Sequence, residues 1–404
     1  MSENCGYFRK GISTKGAAMN QGIRSFFFAL LRSAISGKLL SDQEKAAFLE
    51  EWLSAMRAMA KRHDVSHILG AGLRQNELLK QKDRETENAI LQAVYRYEQL
   101  NYGFKMLCEA FEKAKIPFLP LKGAVLRQYY TQPWMRTSCD IDILIREEDL
   151  DRAVTLLTQS YQYIYGKKNA HDVSLFLNDL IHLELHYALI NEGVAQSSRE
   201  VLKDVWEAAK LKEGTRFWYQ MPDEMFYLYH IAHMTKHFEQ GGCGIRSFID
   251  LWILDSIDGI DLAKRNALLE KGNLLKFAEA ARRLCRVWFE EATHDAISQQ
   301  MEHYILRGGI YGTTENRITV QQQKKGSKFK YALSKIFISY DVIKFHYPIL
   351  QKHRWLTPFM QVRRWCKLIF CGHAKRTMRE LKYSQNISAD KADATREFLT
   401  SIGL

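Results

Sequence analysis

Two aspartates set two positions apart, in Asp140-Ile141-Asp142-Ile143-Leu144-Ile145, are the residues whose types and spacing most directly suggest chemistry. On an extended segment, residues i and i+2 point to one face, so both carboxylates share a side while Ile141 and Ile143 point to a core. Close carboxylates repel one another, and an oxygen-seeking dication such as Mg²⁺, or Mn²⁺ in its place, is the usual reason to hold both ionised. A solvated strand with alternating polarity shows the same pattern, so the pair alone is a weak signal. Upstream, Leu121-Lys122-Gly123-Ala124 reads as a glycine turn that opens a helix. Glycine there permits close backbone approach, and the start of a helix can receive a phosphate. Lys122 adds a positive charge, and Arg136, four residues before Asp140, is placed to pair with phosphates, to brace the carboxylates, or to form an ordinary structural salt bridge.

A further carboxylate stands in another strand-like run. In Ile181-His182-Leu183-Glu184-Leu185-His186 the alternation puts Glu184 on one face with His182 and His186. Glu184 would complete a metal site or act as general base, and Asp172 or Asp179 takes its place under a different register, since a one-residue slip reverses every facing. Farther on, His230, His233 and His237 fall on one helical pattern, and His233 and His237, four apart, have a spacing that can bind zinc. No H-E-x-x-H pattern and no third ligand accompany them. Arg246 and Asp250, also four apart, read as a helix-surface ion pair or as residues of a cleft.

The elements that must position these residues follow from periodicity. Residues 21–115 are helical in pattern, with a glycine break near 69–72, and Pro117 stops the last helix. A strand at 118–121, a helix at 124–130, a proline-containing loop at 131–138, a strand at 139–145 and a helix carrying Leu150, Val154 and Leu157 come next. Strand-like runs at 161–165 and 183–189 would complete a small mixed sheet. The chain is then helical through 225–237, interrupted at 241–244, and helical again at 245–254 and at 262–290 with Asp261 as its cap. A second glycine run, 308–312, leads into the last part of the chain. The expected fold class is α+β, a small mixed-sheet core at 104–212 flanked by a helical region at 1–103, a helical domain at 213–300 that lines the cleft, and a C-terminal region at 301–404.

Charge is concentrated in that last region. The 404-residue chain carries a net charge of +12, and residues 324–382 hold 15 Lys and Arg against Asp341 and Glu380. Interleaved with Phe337, Trp355, Phe359 and other aromatics, this segment reads either as a polyanion-binding surface for RNA or as a basic helical unit whose aromatics are core. The seven cysteines are scattered, odd in number and without a C-x-x-C pairing, so neither a zinc ribbon nor a disulfide framework is suggested. No leader-like or membrane-spanning apolar stretch stands out, and a cytoplasmic protein is expected.

The order of Gly turn, helix, loop and Asp-x-Asp strand resembles the polymerase-β-like nucleotidyltransferases. Leu121-Lys122-Gly123, Arg136 and Asp140-Ile141-Asp142 are similar, more narrowly, to the bacterial "uncharacterised nucleotidyltransferase" family with its K-G, R and D-h-D pattern. Ala124 stands where many superfamily members have Gly or Ser, and the interval to Asp140 is longer than usual, so Lys122 would supply part of what a Ser hydroxyl otherwise does. The resemblance implies transfer of a nucleoside monophosphate from an NTP to an acceptor (RNA, protein or small molecule) with Asp140, Asp142 and Glu184 holding Mg²⁺. It also implies that Lys122, Gly123, Arg136, His186, His233, His237, Arg246 and Asp250 line the nucleotide cleft. A non-catalytic nucleotide- or RNA-binding scaffold on the same fold is the alternative.

Overall fold

The computed structural model describes residues 21–79, 83–178, 180–189, 196–310, 312–325, 328–370 and 389–404. Asp179, Tyr311, Cys5, Cys371 and the basic residues of 371–388 lie outside them, as do 1–20 of the N-terminal region.

From residue 21 to residue 114 the described residues are mainly helical, as the periodicity predicts. Gln21–Ser36, Leu53–His63 and Ser66–Gln75 pack together, and the 31-residue helix Arg84–Ala114 follows. Asp83 caps that helix by accepting from the Thr86 amide at 2.8 Å, and Lys115 ends it at φ +57°. It runs unbroken across the boundary drawn at 103/104. The glycine break expected near 69–72 does not occur. Gly70 and Gly72 lie within the helix, and a Cβ on Gly72 would come within 2.5 Å of the Leu30 carbonyl oxygen, so glycine here allows two helices to cross closely.

The sheet has strands β1 (Phe118–Pro120), β2 (Ile141–Ile145), β3 (Ile164–Lys168), β4 (Asp172–Leu177) and β5 (Ile181–His186), in the spatial order β1-β2-β5-β4-β3. β2 and β5 pair in parallel at the centre, and the other neighbours are antiparallel, which makes the sheet mixed as expected. One face is apolar. Ile141, Ile143, Ile145, Val173, Leu175, Leu183 and Leu185 pack there against Leu100, Leu107 and Phe111 of the long helix and Leu150 and Leu157 of the helix Leu150–Ser160. The opposite face carries Asp142, Asp172, Ser174, Glu184 and His186. β4 was not expected from sequence, and β3 begins three residues later than the run at 161–165 suggests. β2 starts at Ile141, so Asp140 sits on the bend before it rather than in the strand. The short helix begins at Lys122 itself and tightens into a 3₁₀ turn at Arg127–Tyr129.

Beyond the sheet, the helices Asp223–Glu239 and Ile245–Asp255 form with their neighbours the larger apolar core. The single helix expected over 262–290 is two, Leu262–Lys271 and Leu275–Phe289. They part at Gly272 and at Asn273, whose φ is +54°. Asp261 caps the first by accepting from the Lys264 amide at 3.0 Å. The two glycine runs meet: Gly241 and Gly242 have φ of +117° and +129°, and a Cβ on Gly312 would lie 1.9 Å from the Gly241 oxygen. No helix among the described residues is long and apolar enough to cross a membrane.

Candidate active site

Asp142 and Glu184 are directly opposed residues of the parallel pair β2 and β5, so their carboxylates emerge side by side from the polar face. Asp140, on the bend two residues earlier, and His182 and His186, two residues either side of Glu184, reach the same space. Ligand atoms of Asp140, His182 and Glu184 lie within 4.8 Å of one another, and so do those of Asp142, Glu184 and His186. The His186 ring nitrogen Nε2 is 2.8 Å from Asp142 Oδ1 and 3.6 Å from Glu184 Oε2. From β4, Ser174 stands across from Glu184 and Asp172 across from His186.

The electrostatics of this cluster are uneven. Burial would push the Asp142 carboxyl up, but Lys122 and His186 overcome it and hold Asp142 well below the usual carboxylate range. Asp140 goes the other way, pushed up to about 7 by burial and then by the adjacent charges of Asp142 and Glu184, against the pull of Lys122. The His186 hydrogen bond keeps Glu184 low despite burial and Asp142. Burial disfavours the charged His186 ring, yet its bonds to Asp142 and Glu184 raise it overall.

Lys122 donates from Nζ to Asp142 Oδ1 at 2.7 Å. The turn that delivers it is tight: Lys122 has φ +42°, and the Leu121 amide donates to the Asp142 carbonyl at 3.0 Å, tying the turn to β2. A Cβ on Gly123 would meet Ser138 at 3.3 Å, so this glycine lets the helix approach the loop that leads to Asp140. The helix Lys122–Leu126 has only five residues. Its dipole is correspondingly small, and Lys122, not the helix start, is the positive feature of the turn.

Arg136 makes no hydrogen bond to Asp140, Asp142 or Glu184. Its Nε donates to both oxygens of Asp250, at 2.7 and 2.9 Å, and the Tyr130 hydroxyl donates to Asp250 Oδ1 at 2.6 Å, all of it buried. Arg246 is likewise not the partner of Asp250. It pairs with Asp64 at 3.0 Å and donates to the Thr137 carbonyl at 3.2 Å. Arg246 and Asp250, read from sequence as a helix-surface pair or as residues of a cleft, are thus not paired with each other, and each bonds the loop preceding Asp140, Arg246 at Thr137 and Asp250 at Arg136. Two arginines that sequence reasoning missed add to these bonds. Arg96 donates to the carbonyls of Ser138, Cys139 and Leu180, and Arg127 donates to the Gly123 carbonyl and the Ser138 hydroxyl. No sequence signal marks them, because their acceptors are mostly backbone oxygens distant along the chain.

His233 and His237 lie on the helix Asp223–Glu239 with ring centroids 4.5 Å apart. Burial and then the neighbouring cations push both down, His237 to about 4. His230 is separate, its Nε2 3.0 Å from the Ser247 carbonyl. Among the described residues, neither metal-capable group includes a histidine of this helix, so the zinc geometry considered from the i, i+4 spacing has no third ligand.

The donor set is one that could hold a divalent metal ion. Three carboxylates and two imidazoles converge, His182 Nε2 and His186 Nδ1 are buried without a hydrogen-bond partner, and the crowded Asp140 carboxyl would be relieved by a cation. Residues 50–290 match the family described as "Uncharacterised nucleotidyltransferase", and the chain belongs to that family. No curated protein and no solved structure matches it.

Proposed function

We propose that the protein transfers a nucleoside monophosphate from an NTP to an acceptor oxygen and releases pyrophosphate. What supports this reading is the convergence of Asp140, Asp142 and Glu184 on one face of the sheet, with Lys122 bonded to Asp142. The acceptor oxygen attacks the α-phosphorus and forms the new P–O bond. The bond from that phosphorus to the oxygen bridging to the β-phosphate breaks, and pyrophosphate leaves with the electron pair. Glu184, held ionised by His186, takes the acceptor's proton. Lys122 and His186 fix the Asp142 carboxylate, while Arg96, Arg127, Arg136 and Arg246 hold the loop that aims Asp140. Mg²⁺ or Mn²⁺ bound by Asp140, Asp142 and Glu184 would neutralise phosphate charge and acidify the acceptor hydroxyl.

For the acceptor we favour a polyanion such as RNA, and for its location the cytoplasm, in keeping with the buried free thiols Cys108, Cys243 and Cys285. The aromatics of the basic region are not uniformly core. Tyr331 is buried, but Phe337, Trp355 and Phe359 are exposed, and Phe329 is 74% exposed. Residues 328–370 carry nine Lys and Arg against Asp341. Such a surface offers both phosphate contacts and stacking faces.

Incubation with each α-³²P-labelled NTP, Mg²⁺ and cell extract, beside the Asp140→Asn/Asp142→Asn double variant, tests the reaction. Label should enter one of the RNA, protein or small-molecule fractions and vanish in the variant. Absence of label from a folded, NTP-binding protein would replace this reading with that of a non-catalytic scaffold.

A further inference from the structure

The helix Asp223–Glu239 presents a stripe toward the polar face of the sheet that the carboxylates alone do not account for. Tyr229, His233, Lys236 and His237 recur at i, i+4, i+7 and i+8, which places them on one side of the helix. The rings of Tyr229 and His233 are 6.4 Å apart and those of His233 and His237 are 4.5 Å apart, so the stripe is continuous. Two of its members are incompletely satisfied. The Tyr229 hydroxyl is buried without a hydrogen-bond partner, and the residue is only 2% exposed. Lys236 is half-buried and has no carboxylate at ion-pair distance among the described residues.

Lys236 and Lys122 are close enough to repel one another, and Asp142, Glu184 and Asp172 lie within electrostatic reach of Lys236 without pairing to it. Asp142 is already committed to Lys122 and His186, and Asp172 bonds Asn169 and lies 3.3 Å from His171. A partly desolvated ammonium beside a second ammonium is unfavourable unless an anion comes between them. The neighbouring His233, kept neutral, can donate an N–H group to such an anion without adding to the repulsion.

We propose that Lys236 and the Tyr229 hydroxyl bind the triphosphate of the nucleotide, Lys236 receiving the β- and γ-phosphates that leave as pyrophosphate. This assignment rests on the nucleotidyl-transfer reading above and adds a second wall to the site. Asp140, Asp142 and Glu184 would hold the cations on one side, and the helix would hold the phosphates on the other. A lysine at this position is a point charge that suits a mobile leaving group, whereas the carboxylates provide nothing that holds pyrophosphate once its cations exchange.

The experiment uses the full chain with inorganic pyrophosphate and saturating Mg²⁺, measured by calorimetry, and Mn²⁺ binding followed by electron paramagnetic resonance. Lys236→Met should weaken pyrophosphate binding at least tenfold while Mn²⁺ affinity stays within twofold of wild type, and Lys236→Arg should recover part of the loss. Tyr229→Phe should weaken pyrophosphate by several-fold with the same indifference to Mn²⁺. If Lys236→Met fails to fold, Lys236→Gln carries the same expectation. Wild-type protein that binds Mn²⁺ but not pyrophosphate, or a folded Lys236 variant that binds pyrophosphate as wild type does, overturns the proposal and leaves the metal site standing. Failure of wild-type protein to bind either probe would instead overturn the nucleotidyl-transfer reading, and this one with it.

Discussion

Replacing Asp250 by leucine would leave the Arg136 guanidinium and the Tyr130 hydroxyl buried without the acceptor they share. The side chains of Arg136 and Asp250 are 10% and 2% exposed, and both carboxylate oxygens are within 3 Å of Arg136 Nε. Removing one partner of such a pair strands a charge out of water, which costs roughly 3–5 kcal/mol. Arg136→Met strands the carboxylate in the same way, with the Tyr130 bond remaining. The double variant Arg136→Met/Asp250→Leu removes both charges and should lose less than the sum of the two, with a coupling of about 2 kcal/mol or more. Urea unfolding followed by tryptophan fluorescence measures all four proteins. Because the pair lies below the loop that aims Asp140, nucleotidyl transfer should fall in each single variant even where it remains folded. An Asp250→Leu protein within 1 kcal/mol of wild type, or singles that add without coupling, would refute the buried-clamp account and return Arg136 to the substrate side of the cleft.

Arg96→Met removes donors to two backbone carbonyls just before Asp140 and to that of Leu180 just before β5, and should weaken Mn²⁺ binding roughly tenfold or more, as loss of a supporting contact does, which a metal titration would read. Gly72→Ala should destabilise by about 1–3 kcal/mol in urea, since its Cβ meets the Leu30 backbone and neither helix can yield locally. His63, pushed down to about 3 by burial and by Arg62, accepts the Ile245 amide at 3.4 Å. The unfolded chain protonates this ring near 6.5, so it binds more protons than the folded chain between those values. Stability is therefore complete above pH 6.5 and falls as the pH drops toward 3, by roughly 2–3 kcal/mol at pH 4.5, and His63→Gln should flatten that slope in pH-dependent unfolding. Replacing Lys330, Lys352, Arg354 and Arg363 by glutamine should reduce both the affinity for RNA and its dependence on salt concentration in filter binding. Unchanged affinity would remove RNA from the acceptors assigned to this surface.

The parts of the site written locally were legible in the sequence. Ile141 and Ile143 alternate with Asp142, and His182, Glu184 and His186 alternate with Leu183 and Leu185, so period-two reading identified both strands and the facing of their polar residues. β4 escaped because Phe176 occupies its polar face, where it stacks on His182 at 4.6 Å and blurs the alternation of Val173, Leu175 and Leu177. Tyr229 and Lys236 escaped for a different reason. Their helix is buried on most sides, so no apolar face stands out against which a functional one could be recognised. The partner of Arg136 is 114 residues away and that of Arg246 is 182 away, separations over which no local pattern operates.

The parallel register of β2 and β5 sets the spacing of the two central carboxylates by backbone hydrogen bonding alone. Neighbouring strands lie about 4.8 Å apart whatever chain connects them, and the connection here runs through a helix, two strands and their turns. Changes in length at the turns beyond β3 and β4 therefore leave the juxtaposition of Asp142 and Glu184 untouched, while a shift of β5 by one residue would exchange Glu184 for an apolar neighbour and abolish it. This chain therefore has wide latitude in how it travels from Asp142 to Glu184, and almost none in how it arrives.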